Sequence, residues 1–143
     1  MPTTIDFYLL SYPTMDASSL YICRLAEKAY KNNHQVYIYT TSEHEAQKLN
    51  ELLWTFRDIS FVPHSIDPHS IDKPAPIQIG STKPPTSHND ILINLTPEIP
   101  AFYANFARIL EIIPNNTTLK ASGRKKYKYY QEHGCKLKTH NIT

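Results

Sequence analysis

A three-layer α/β domain with a largely parallel sheet is the fold this sequence predicts, and two observations predict it. Short runs of β-forming residues alternate with segments whose apolar positions fall on one helical face, the pattern of repeated strand–helix–strand units. A chain of 143 residues can bury one proper core but not two independent ones, so we expect a single domain over residues 1–143. Hydrophobic content of 41% and charged content of 20% are ordinary for a globular protein, and no apolar run approaches the roughly 18 residues of a membrane span. No membrane partner is expected. MPTTIDFYLL carries neither the cationic start nor the cleavage site of a signal peptide, so the expected location is cytoplasmic.

The elements follow in order. IDFYLL, Ile5 to Leu10, is a compact β-forming run closed by the turn residues of SYPTMD, and reads as a buried first strand. Between Asp16 and Asn33, Ile22, Leu25, Ala26, Ala29 and Tyr30 recur at helical spacing, and the NNH that follows stops the helix before the strand QVYIYT. Ser42 and Glu45 have the spacing of a capping box ahead of Ala46, Leu49, Leu52 and Leu53, which predicts a second helix ending near Trp54. From Phe56 to Ser87 prolines break the periodicity, leaving loops and one or two short or edge strands in ISFVPH and APIQIG. DILINL is another strand. In IPAFYANFARILEII, Phe102, Phe106, Ile109, Leu110 and Ile113 share a helical face, which predicts a helix there. The last helix is LKASGRKKYKYYQEHG, with Thr117 or Thr118 as N-cap and Gly134 as its stop.

Several chemistries are disfavoured. The chain has three glycines, Gly80, Gly123 and Gly134, and none lies in the first strand-to-helix turn, where close wrapping of a phosphate needs them. No nucleotide site of the usual kind is expected, and no cofactor. Cys23 and Cys135 stand far apart without a C-x-x-C or a nearby histidine, and read as reduced thiols. His64, Asp67 and His69 match no familiar zinc spacing, so a packed or solvated loop is the better reading and no metal is expected. His44 sits in a helix's first turn and His133 near a helix C-terminus, where the dipole favours a cationic imidazole. No catalytic constellation emerges.

Charge is distributed unevenly. Residues 1–119 hold 8 Lys/Arg against 12 Asp/Glu, whereas residues 120–143 hold 7 against 1. The C-terminal end therefore calls for an anionic partner. At 100° per residue, Lys120, Arg124, Tyr127, Lys128 and Gln131 share one face of the last helix, Lys125 and Lys126 point elsewhere, and Tyr130 turns toward the core. Gly123 costs about 1 kcal/mol relative to alanine in a helix, which suits a close approach at that point. A solvated cationic face is one reading of this helix. A second is a carboxylate gripped by the arginine fork beside an aromatic wall. A third is single-stranded nucleic acid, with phosphates on the cations and a base stacked on Tyr127. An enzyme built on a degenerate nucleotide fold is a further alternative.

FYLL, LLWTFRDISFVPHSI followed by DILINL, and LKASGRKKYKYYQEHG together resemble, in order and spacing across nearly the whole chain, the chi subunit of the bacterial DNA polymerase III holoenzyme. The resemblance implies a Rossmann-like fold without a nucleotide site and a noncatalytic accessory role in DNA replication. It implies two partners: the psi subunit, which tethers chi to the clamp loader, and the acidic C-terminal tail of single-stranded-DNA-binding protein, which ends in a phenylalanine with a free carboxylate. DNA would be met indirectly, through these. The family's Lys-x-x-x-Arg-x-x-Tyr-Lys pattern falls on Lys120, Arg124, Tyr127 and Lys128, with Ile113 at the apolar position before it. On that resemblance Arg124 or Lys128 holds the carboxylate, Tyr127 and Ile113 line the phenylalanine pocket, and Lys120 reaches the upstream aspartates. The psi contact is expected at the aromatic cluster of Trp54, Phe56, Phe61, Val62, Pro63 and His64, although Trp54 and Phe61 read equally well as core.

Overall fold

A computed structural model describes residues 3–55, 64–65, 77–82 and 90–142. Strand β1 (Thr4–Leu10) leads into helix α1 (Ser19–Lys31), strand β2 (Val36–Tyr39) and helix α2 (Glu43–Thr55). Strands β3 (His64–Ser65), β4 (Ile77–Gly80), β5 (Ile91–Asn94) and β6 (Arg108–Ile113) follow, then helix α3 (Thr117–Glu132) and strand β7 (Lys136–Ile142). The strands form one sheet in the order β3-β4-β2-β5-β6-β1-β7, and every pairing among them is parallel. This is the α/β fold expected from the sequence. No helix among the described residues is long and apolar enough to cross a membrane.

Alternation along the strands builds two cores. Val36, Ile38, Ile77, Ile79, Ile91, Ile93, Leu110 and Ile112 meet Ile22, Cys23 and Ala26 of α1 and Ala46, Leu49 and Leu53 of α2 on one face. Ile5, Phe7, Tyr37, Leu92, Ile109 and Ile113 meet Tyr130 of α3 on the other. Such runs, apolar in both directions, belong to parallel strands covered on both faces. The short strands expected in APIQIG and ISFVPH are four-residue β4, buried throughout and inside the sheet, and two-residue β3, which flanks it at the edge among the described residues.

The segment predicted as a helix before α3 is a strand. IPAFYANFARILEII contains a short 3-10 turn (Tyr103–Asn105) and then β6. Positions i and i+4 fall on one side both of a helix and of a strand, so Ile109 and Ile113 satisfy either period. The β-branched run RILEII, with Leu110 and Ile112 buried on the opposite side, decides for the strand. β7 is an element the sequence reading leaves unassigned, because KLKTHNI alternates with little apolar contrast. The N-cap of α3 is Asn116 rather than either threonine: its side chain accepts from the N–H groups of Thr118 and Leu119 at 3.0 and 3.3 Å. Ser42 caps α2 by accepting from Glu45 N–H at 3.2 Å, and Gly134 ends α3 at φ +77°, where a side chain would be strained.

Candidate functional site

Beside α3 the sheet leaves a cavity of about 340 Å³ lined by Phe7, Leu9, Ile113, Lys120, Gly123, Arg124, Tyr127 and Thr139. Its floor is apolar because the odd-numbered residues of β1 and β6 all point to the α3 face, which brings Phe7, Leu9 and Ile113 together. Gly123 lets the helix come close: a Cβ there would stand 3.0 Å from Ile113 Cδ1. Tyr127 packs one side of its ring on Phe7, with centroids 5.5 Å apart, and remains 39% exposed, so its free side forms a wall. Lys120 and Arg124 stand at the rim, exposed, and neither makes an ion pair among the described residues. An apolar hollow beside unpaired cations suits a ligand with one apolar group and one anionic group.

What holds α3 in place is a buried polar cluster. Glu111 on β6 has no solvent exposure, and it accepts from Lys126 Nζ at 2.8 Å, Tyr130 Oη at 2.7 Å and Asn94 Nδ2 at 3.0 and 3.2 Å. Lys126 also donates to the Thr96 carbonyl at 2.6 Å and is only 4% exposed. The sequence reading leaves Lys126 pointing away from the shared cationic face, and so it does, but into the protein. Burial first, and then the neighbouring Glu111 carboxylate, push the Tyr130 hydroxyl strongly up, which keeps it a donor. Of the five cations in the helix, four therefore remain outside: Lys120, Arg124, Lys125 and Lys128.

The structure brings Lys120, Arg124, Tyr127 and Ile113 to one cavity. Lys128 is exposed but does not line it, since it sits about 80° around the helix from Lys120. Sequence reasoning missed Phe7, Leu9 and Thr139 as lining residues. The period-2 pattern of IDFYLL could have placed Phe7 and Leu9, but Thr139 depends on β7. A larger crevice of about 510 Å³, at the strands' C-terminal ends, is lined by Ile22, Leu49, Leu52 and Leu95, and its Lys48 is paired with Asp16 at 3.2 Å. Among the described residues that line it, Lys48 is the one cation, and it is taken.

Of the residues expected to contact psi, Phe56, Phe61, Val62 and Pro63 lie outside the described residues, as do the side chains of Trp54 and His64; only the backbones of those two fall in α2 and β3. Asp67 and His69 also lie outside the described residues. Among the described residues no group of His, Cys, Asp and Glu could hold a metal ion. Both cysteines are free thiols, and burial pushes Cys23 up to about 12. His133 caps the end of α3, stacked on Tyr129 at 3.9 Å and donating to the Tyr129 carbonyl at 2.7 Å.

Comparison with known proteins bears on all of this. A family model described as DNA polymerase III chi subunit, HolC, matches residues 1–138. The DNA polymerase III subunit chi of Pseudomonas aeruginosa is 37% identical over 140 residues, covering 98% of this chain and 97% of the relative. The subunits chi of Haemophilus influenzae and Escherichia coli are 32% and 31% identical; the first match covers 99% of both chains, the second 93% of this chain and 94% of the relative. Among solved structures, T4 UvsW superposes with a TM-score of 0.68 at 11% identity, covering 97% of this chain and 42% of that one, a likeness of fold alone.

Proposed function

This chain belongs to the family of DNA polymerase III chi subunits, and from that premise we propose that it is a noncatalytic adaptor joining the clamp loader to coated single-stranded DNA. One side meets the psi subunit; the other takes the acidic C-terminal tail of single-stranded-DNA-binding protein. The observation that carries the reading is the α3 cavity, where an apolar floor of Phe7, Leu9 and Ile113 lies under Lys120 and Arg124, exposed cations with no ion pair among the described residues. A terminal phenylalanine fits this combination: its ring enters beside Tyr127 and Ile113, and its carboxylate meets the Arg124 guanidinium. Lys120 and Lys128 then draw the acidic residues upstream. We assign the psi contact to Trp54, Phe56, Phe61, Val62, Pro63 and His64 on the aromatic composition of that run.

Fluorescence anisotropy with three labelled ligands tests the tail reading: an acidic peptide ending in Phe with a free carboxylate, the same peptide as its C-terminal amide, and oligo-dT. Binding of the free acid alone, lost in Arg124→Ala, is the expected result. Equal binding of acid and amide would reduce the site to general charge attraction. Tight binding of oligo-dT alone would make the protein a direct single-strand binder. Salt should weaken the complex without abolishing it, because ring burial is not screened.

A further inference from the structure

We propose that the outer edge of β7 receives an extended acidic segment as an added strand, the segment whose end occupies the α3 cavity. The proposal rests on the tail-binding reading and adds to it a backbone contact and a direction of approach. β7 is the last strand of the sheet and, among the described residues, pairs only with β1. Lys136 N–H donates inward to the Thr3 carbonyl at 3.2 Å. Alternation along the strand then turns the N–H and C=O groups of Leu137, Thr139 and Asn141 outward. An open edge of this kind is a template for another strand.

The side chains along the edge select which strand. Lys136 and Lys138 lie on the face away from α3, both exposed, with His140 next in the row. Neither lysine makes an ion pair among the described residues. Asp6 is the register partner of Lys138, but its carboxylate is already held by Arg108 Nε and by His140 Nε2, the latter at 2.9 Å. A lysine-bearing edge repels a second copy of itself and accepts a strand with carboxylates at alternate positions. Thr139 joins the edge to the cavity, because its side chain lines the cavity while its N–H faces outward. A chain whose last residue enters the hollow therefore leaves it along β7.

The test uses the full chain and an acidic peptide ending in Phe with a free carboxylate, N-methylated at one backbone nitrogen at a time. Affinity should fall about three- to tenfold at alternate positions and stay unchanged between them, as loss of single backbone hydrogen bonds requires. In amide exchange, the parent peptide should protect Leu137, Thr139 and Asn141 and leave Lys136 and Lys138 as they were. A flat N-methyl scan with no new protection, while Arg124→Ala still abolishes binding, would overturn strand addition and leave the tail reading intact. Failure of the parent peptide to bind, or binding indifferent to Arg124→Ala, would sink the tail reading and this proposal with it. Protection of the same amides by raised protein concentration without peptide would make the edge a self-association surface, and would also overturn it.

Discussion

Arg124 and Lys126 are two cations on one helix, two positions apart, and they have opposite fates. Arg124 is exposed, at the rim of an apolar cavity, and pairs with no described residue. Lys126, about 200° away around the helix, is 4% exposed and held by Glu111 at 2.8 Å. The difference is decided by what lies underneath. Strand β6 offers a methyl surface at Ile113 and a carboxylate at Glu111, residues that alternate onto the same face of the sheet. A lysine-rich helix therefore carries both structural and available charge, and only the available charge can serve a partner.

Removing the structural partner should have the largest effect. Glu111→Ala leaves Lys126 buried without its carboxylate and deprives the Tyr130 and Asn94 donors, which should cost about 3–5 kcal/mol of stability by urea titration. Lys126→Met, which removes the other charge and keeps the volume, should cost less than Lys126→Ala. If Glu111→Ala unfolds with wild-type stability, the contrast between the two faces of α3 fails.

The converse substitution should leave the fold alone. Arg124→Ala should change stability by no more than about 0.5 kcal/mol, yet lower affinity for the free-acid peptide by at least about tenfold. Arg124→Lys should fall between, since an ammonium lacks the planar fork. Lys125→Ala, on the far flank of α3, serves as the control and should bind nearly as wild type.

A second buried carboxylate sharpens the contrast, because its cations come from the sheet rather than from α3. Burial raises the Asp6 carboxyl, but hydrogen bonds and charge from Arg108 and His140 outweigh it and hold it below the usual carboxylate range. A folded-state value lowered in this way stabilises above the unfolded value, and the stabilisation is lost as the pH falls through the folded one. Wild-type protein should thus lose stability steeply below about pH 4. Asp6→Asn should remove part of that acid limb, as seen by comparing urea midpoints at acid and neutral pH.

Much of this arrangement is legible in the sequence, and the illegible parts share a cause. IDFYLL, QVYIYT and DILINL declare themselves by β-forming composition, and α1 and α2 by apolar spacing. α3 declares its outward charges at Lys120 and Arg124 by the same periodicity. The helix wrongly expected over 99–113 is a short 3-10 turn and a strand, and its last apolar positions, Ile109 and Ile113, have a spacing that strand and helix share. Glu111 in RILEII shows its role only when α3 supplies Lys126 and Tyr130 from 15 and 19 residues away. Thr139 reaches the cavity only because β7 pairs with β1, a contact between the two ends of the chain that no local pattern encodes.

The smallest expected effect tests the close approach itself. Gly123→Ala adds a Cβ 3.0 Å from Ile113 Cδ1, closer than an ordinary contact, but it also gains about 1 kcal/mol of helix propensity. The Ile113 side chain borders the cavity and has room to turn into it. Stability should therefore stay within about 0.5 kcal/mol of wild type, while the displaced methyl occupies space the peptide's ring would fill. Loss of about one methylene's worth of contact, near 0.8 kcal/mol, corresponds to about fourfold weaker binding of the free-acid peptide. Unchanged affinity would mean that the ring does not reach Ile113, and would move the floor of the site toward Phe7 and Tyr127. A large loss of stability instead would show Ile113 to be fixed, and the cavity wall to be part of the rigid core that Glu111 and Lys126 anchor.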